Sequence, residues 1–330
     1  MNSEGSEGNI QRIKLVGEAW KVVLRCVTLA LLILSLSLLP QPALAWNTAG
    51  HRLSALIAWQ QLDQNMRQRI THILVRHPDY NRWIARSKGI DFEAAAFLEA
   101  STWPDDIKND PRFYDVDEDV ATPPLPGFPD KLRHRDWHYI NRPLAHTPKG
   151  LHSFGQLDTQ IEILSKLIGD TKQGHEQRAY ALPWLIHLIA DAHQPLHVVS
   201  RYDAKGRGDE GGNRFFIEQP LYSRRSSMSL HAYWDDLPGP PWLRGDRLEK
   251  LAASIVAFHP PPAARGNTDL WLQESWVIAS DKAYPAGDDP VSTLTAAFHA
   301  QAYALAQQRI AEAGYRLAAR LKELLREDVD

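Results

Sequence analysis

Residues 294–325, LTAAFHAQAYALAQQRIAEAGYRLAARLKELL, repeat apolar side chains at helical spacing through Leu294, Phe298, Leu305, Ile310, Leu317, Leu321 and Leu325. Apolar residues that recur three or four apart fall on one face of a helix, so the stretch predicts an amphipathic helix against a core. The same spacing returns in Leu53, Leu56, Ile57 and Leu62, and again in Leu157, Ile161, Leu164 and Ile168. Strand-like alternation is scarce, and a short hairpin is expected only near Asn213–Ile217. The fold class that follows is all-α, a mainly helical single domain with long loops and at most a short β-hairpin. Between about Asn109 and Lys149, Pro, Asp and Gly are dense, and a second such region runs from Ser200 to Ser229. Loops of that length in a compact domain are usually functional or disordered. The sequence has no internal repeat and no low-complexity tract.

The first 45 residues read as a signal peptide. Lys14, Lys21 and Arg25 precede an apolar run from Cys26 to Leu39 that is short for a membrane-spanning helix, and Ala43 and Ala45 form an Ala-x-Ala processing site. Cleavage after Ala45 leaves residues 46–330 with Trp46 as the new terminus; an uncleaved anchor fits the short run less well. The 285 remaining residues can bury one large core, and no Gly/Ser-rich linker or charge block divides them. The only cysteine, Cys26, lies in the removed segment, so the mature chain has neither disulfides nor thiolate ligands, and it carries no Asn-x-Ser/Thr sequon. Export without either fits a bacterial periplasm, so the expected location is periplasmic or secreted, with no stable membrane association after processing. The mature chain carries 33 Lys and Arg against 37 Asp and Glu. That balance offers no general basic patch for duplex DNA, so attraction for nucleic acid must be local, with bound cations as its source.

The strongest local signal is His187-Leu-Ile-Ala-Asp191-Ala-His193-Gln-Pro-Leu-His197. His187 and Asp191 are four apart on an apolar helix and share a face, so they can chelate one ion. Pro195 disfavours helix at Gln194, and the resulting turn lets His197 point back from another direction. His231-Ala-Tyr-Trp-Asp235 repeats the pairing ahead of Pro238. One such pair is ordinarily structural, whereas two within fifty residues are harder to ascribe to core packing. Asp105 sits at a helix start after Trp103-Pro104, and His138 lies in an aromatic stretch; each has a plain structural reading on its own. His51 follows the expected terminus by five residues. A freed α-amine titrates at about 7.7–8.0 and, once deprotonated, can chelate together with its own carbonyl oxygen.

With these residues in order, the chain resembles the S-one/P-one nucleases, zinc-dependent single-strand nucleases and 3′-nucleotidases. The processed Trp46, Trp103-x-Asp105, the 187–197 motif, Gly211-Gly212-Asn213, Leu230-His231-x-x-Trp234-Asp235, then Trp271, Glu274-Ser275 and the stretch from Ala313-Gly314 match across residues 46–330. The resemblance implies a fold shared with phospholipase C and three zinc ions per chain. Trp46, through amine and carbonyl, would hold one with His51 and Asp191. Asp105, His138, His187 and the same Asp191 would hold the second, and His197, His231 and Asp235 the third. This nitrogen and oxygen set suits zinc. His193 would lie outside the ligand set, and His259 and His299 are read as structural.

The implied function is endonucleolytic hydrolysis of single-stranded DNA or RNA to 5′-phosphate products, with 3′-nucleotides as further substrates and no protein partner. Paired ions would supply hydroxide for in-line attack on phosphorus. The implied catalytic residues are Asp105, which orients the attacking group, and Lys108, which contacts phosphate. Lys108 stands where many relatives carry Arg, and Asn141 where the fungal enzymes carry an Asp that reads the base. Tyr139, beside His138, is the expected stacking surface, and Asn141 and Asn213 the expected polar contacts. Two other functions fit the pattern less well. A zinc-dependent phospholipase C would typically carry Glu at Asp235, and an inactive zinc-binding protein would not need every ligand.

Overall fold

Two helices are buried on almost every side, and both carry expected ligands. α1, Thr48–Gln60, begins where the Asn47 side chain accepts hydrogen bonds from the Ala49 and Gly50 N–H groups, and every residue from Ala49 to Trp59 is buried. A helix apolar all round belongs inside a domain, yet α1 brings His51 and Arg52 with it. The structure, a computed structural model, describes residues 46–87, 91–116, 120–144, 152–203, 205–218, 227–286 and 291–326. The expected signal peptide and its cleavage site lie outside the described residues.

The remaining helices in the first half are α2 (Gln64–Leu74), α3 (Tyr80–Ile84), α4 (Phe92–Ala100) and the short α5 (Trp103–Asp106). α6, Leu157–Gly169, turns Leu157, Ile161, Leu164 and Ile168 inward against α7, His175–Asp191. Everything from Ala179 to Asp191 in α7 is buried. Then come α8 (Leu230–Asp236), α9 (Asp246–Phe258), α10 (Thr268–Ile278) and α11 (Ala296–Leu324). α11 realises the helix expected over residues 294–325. Thr295 caps it, and it lies along α1. At Gly314 a Cβ would stand 2.7 Å from Ile57 Cγ2 and 2.8 Å from the Ser54 carbonyl oxygen, so the two backbones approach only because that position has no side chain.

The mainly helical expectation holds, with more sheet than a lone hairpin. β1 (Arg142–Pro143) pairs in parallel with β2 (Val199–Ser200). β3 (Phe216–Glu218) pairs antiparallel with β4 (Ser227–Ser229) and parallel with β5 (Val291–Thr293). The strand begins at Phe216, three residues after the start of the expected hairpin, because the preceding Gly211 and Gly212 adopt positive φ and Asn213 closes their turn. The first long loop region is pinned by charge. Arg112 bonds both Asp79 and Asp110, and Arg133 and Arg135 share Asp115. The described residues form one compact unit. Among the described residues no helix is long and apolar enough to cross a membrane.

Candidate metal centre

Eight acidic and imidazole side chains from six segments converge in the core. α1 supplies His51, α5 supplies Asp105, and the 3-10 turn Arg135–His138 supplies His138. α7 supplies His187 and Asp191 from its last buried turns. Gln194 is extended, so the helix stops short of Pro195, and the 3-10 turn Pro195–His197 aims His197 back. α8, capped by Ser229, supplies His231 and Asp235 one turn apart.

Their atoms form three groups, His51 with Asp105 and His187, His138 with His187 and Asp191, and His197 with His231 and Asp235, each with its ligand atoms within 4.8 Å of one another. Asp191 faces two ways. Its Oδ1 is 3.5 Å from His51 Nε2, while its Oδ2 is 3.1 Å from His138 Nδ1 and 3.2 Å from His187 Nε2. Asp105 lies across the same space, with Oδ2 3.8 Å from His51 Nε2 and Oδ1 3.7 Å from His187 Nε2. His51 and His187 stack at 3.8 Å between ring centroids.

Hydrogen bonds behind the rings decide which nitrogen faces the cluster. His187 Nδ1 lies 2.8 Å from the Ser101 carbonyl oxygen, His197 Nδ1 2.6 Å from that of His138, and His231 Nδ1 2.8 Å from that of Gly211. A carbonyl only accepts, so each Nδ1 donates and each neutral ring presents a bare Nε2 lone pair inward. His197 Nε2 and His231 Nε2 then stand 3.2 Å apart, beside Asp235 Oδ2 at 3.6 Å from His231. Two facing lone pairs next to a carboxylate repel unless a cation or a proton lies between them. The buried His51 nitrogens, Asp105 Oδ2 and Asp191 Oδ1 likewise have no hydrogen-bond partner. The donor set therefore fits divalent cations with nitrogen and oxygen preference.

Burial sets the titration. It pushes Asp191 up to about 6 against the pull of His187, and Asp235 well above the carboxylate range although Gln194 donates to it. It holds His51, His138 and His197 well below the usual imidazole range, with neighbouring imidazoles and Lys108 acting in the same direction. Neutral imidazole is the ligating form.

A model of the S1/P1 Nuclease family matches residues 46–326, across all of these segments. The chain belongs to the S1/P1 nuclease family. It is a hydrolase of nucleic-acid ester bonds, from a family that is zinc-dependent in general. Endonuclease 4 of Arabidopsis thaliana is 24% identical over 314 residues, covering 88% of this chain and 93% of the plant protein.

The other expected site residues of the nuclease have these surroundings. Trp46 is fully buried, and the neighbouring Asn47 N–H donates to the Asp235 carbonyl at 3.2 Å, which puts residues 46–47 beside α8. Lys108 Nζ donates to Asp105 Oδ1 at 2.7 Å. Tyr139 is half-buried, its ring edge-on to Phe154 at 6.0 Å, and Asn141 is buried. Asn213 gives its amide to the Glu210 carbonyl at 2.8 Å. His193 is not in the cluster, since its Nδ1 donates to the Ile189 carbonyl and its Nε2 accepts from Arg316. His299 pairs with the Tyr233 hydroxyl at 2.9 Å.

Sequence reasoning missed Gln194 as a functional residue of the nuclease. Its Nε2 donates to Asp235 Oδ1 at 2.8 Å and its Oε1 accepts from the Leu196 N–H at 2.5 Å, so one amide fixes a carboxylate and the turn that carries His197. Its place between two histidines was the available signal. Gly211 has a part of its own beyond the Gly-Gly-Asn motif. Its φ of +63° and the 2.2 Å from a built Cβ to the Leu196 carbonyl show why glycine stands there, and its own carbonyl orients His231.

Proposed function

We propose that residues 46–330 are an exported nuclease that holds three zinc ions and cleaves single-stranded DNA or RNA endonucleolytically, leaving 5′-phosphates and accepting 3′-nucleotides as further substrates. The observation that carries this reading is the convergence of imidazoles, three of them turned inward by backbone carbonyls, on buried carboxylates of which Asp105 and Asp191 each keep one oxygen without a hydrogen-bond partner. Trp46, through a freed amine and carbonyl, joins His51 and Asp191 at one ion. Asp105, His138, His187 and Asp191 hold the second, and His197, His231 and Asp235 the third. The two-sided contacts of Asp191 support its part as the shared ligand. Export follows from the signal-like first 45 residues, and the periplasm or the medium is the destination.

Bound there, zinc supplies Lewis acidity and an activated water for in-line attack on phosphorus. The chain itself supplies position. Asp105 is held by Lys108 through a 2.7 Å ion pair and orients the attacking group, while the Lys108 charge lies at the cluster where a phosphate oxygen would meet it. Tyr139 offers a ring to a base that has left its neighbours, and Asn141 and Asn213 frame the polar side of that subsite. No side-chain nucleophile is needed. The test sets hydrolysis of denatured DNA against hydrolysis of phosphatidylcholine vesicles, before and after chelation. Cleavage of DNA that is lost to the chelator and restored by zinc is the expected result. Hydrolysis of the lipid instead would overturn the nuclease reading.

A further inference from the structure

The matched motif positions Glu274, Ser275 and Arg316 lie outside the metal cluster, yet their polar atoms converge on its back. The turn 192–194 joins the helix that ends in Asp191 to the turn that carries His197, and Gln194 within it holds Asp235. A shift of this short segment therefore moves ligands of every group. Ser275 Oγ donates to the Ala192 carbonyl at 2.6 Å. Arg309 Nε donates to the His193 carbonyl at 3.3 Å, and its Nη2 bonds Ser275 Oγ at 2.9 Å and the Trp271 carbonyl at 3.2 Å. Arg316 Nη1 donates to His193 Nε2 at 2.9 Å.

The two guanidiniums are buried, at 1% and 2% exposure, and would be costly without countercharge. Glu274 supplies it. Arg316 grips both of its oxygens, at 2.6 and 2.8 Å, and Arg309 Nη1 donates to Oε2 at 2.8 Å; Glu312 adds a second carboxylate on Arg309. Planar guanidiniums held at several points have little freedom, so they set the turn in one place rather than merely neutralise it. His193 is thereby explained as well, as the acceptor through which α11 reaches the metal-bearing segment.

We propose that Arg316, with Arg309 and Glu274, is a positioning residue for the metal centre, acting through the 192–194 turn to keep the ligands at ion-binding separation. The inference rests on the reading that the cluster holds zinc. The test uses the full processed chain in four forms, wild type, Arg316→Lys, Glu274→Gln and Leu321→Ala. Leu321 is fully buried on the same helix and takes no part in the polar network, so Leu321→Ala gives the loss of stability that a purely structural role would cause. Zinc retention against a competing chelator and the visible spectrum of the cobalt(II)-substituted protein are measured for each. Arg316→Lys and Glu274→Gln are expected to lose about ten-fold in zinc affinity and to shift the cobalt bands. Leu321→Ala is expected to unfold at lower temperature with affinity and spectrum unchanged. If both polar variants keep the wild-type affinity and bands, or if Leu321→Ala changes them as much, the positioning role is overturned. A wild type that takes up no zinc would sink the underlying reading instead. Glu274 is partly exposed, so its variant remains informative if Arg316→Lys fails to fold.

Discussion

Gly211→Ala should strike the fold and the third metal group together. The position sits at φ +63°, where a residue with a Cβ costs roughly 1–2 kcal/mol. The new Cβ would stand 2.2 Å from the Leu196 carbonyl oxygen and 3.3 Å from that of Val199, both backbone atoms that cannot swing aside, and such overpacking costs about 1–3 kcal/mol. If the turn moves to relieve it, the Gly211 carbonyl leaves His231 Nδ1, at a further cost of about 1 kcal/mol. With the hydrogen-bond loss replacing part of the clash where the turn gives way, the whole effect is about 2–5 kcal/mol, which at about 2 °C per kcal/mol lowers the unfolding temperature by roughly 4–10 °C. Gly206→Ala is the internal control. Its φ is +74° but nothing lies within 4 Å of the built Cβ, so only the backbone cost of roughly 1–2 kcal/mol applies. The assay is thermal unfolding of both variants after chelation, followed by zinc uptake. Gly211→Ala should unfold well below Gly206→Ala and take up less zinc. Equal unfolding temperatures and equal uptake would refute the argument that Leu196 and His231 depend on a glycine at 211.

Asp191→Ala should lose most activity and disturb two ions at once, measured as metal content beside turnover of denatured DNA, because both oxygens of Asp191 face ligand nitrogens; unchanged zinc would misplace the bridge. Tyr139→Ala should weaken cleavage of single strands with zinc content intact, since base stacking is worth roughly 1–3 kcal/mol; wild-type rates on every substrate would remove the stacking role. Glu99 is held at about 2, against burial, by hydrogen bonds and charge from Arg244 and Arg52. Its contribution, on the order of 3 kcal/mol, is present above pH 4.5 and fades as pH falls towards 2. Chemical unfolding should therefore show Glu99→Gln much weaker than wild type at pH 7, with the gap narrowing in acid. A gap that stays constant with pH would contradict that ion cluster.

The helices were legible because their signal is local. Leu157, Ile161, Leu164 and Ile168 announce α6 within one window of sequence, and Leu317 and Leu321 do the same for α11. Beyond the short hairpin expected near Ile217, the small sheets were not. β3 has three residues, and its parallel partner Val291–Thr293 lies some seventy positions on, so neither alternation nor turn chemistry marks the pair. Chelating pairs at helical spacing, His187 with Asp191 and His231 with Asp235, could be read directly. Gln194 and Arg316 could not, because what they do is defined by a partner brought close only by the fold: Asp235 for the first, His193 for the second. Asp191 illustrates the boundary between the two. Its spacing announces a ligand, and only the directions of its two oxygens single it out as the residue shared between groups.

Zinc stoichiometry and strand preference, measured together on protein that begins at Trp46, test the central claim most directly. Three zinc ions per chain and cleavage of single-stranded over duplex DNA are expected, both lost on chelation and recovered with zinc. A protein that begins at Trp46 yet binds no zinc, or that cleaves single strands unchanged after complete removal of metal, would contradict it.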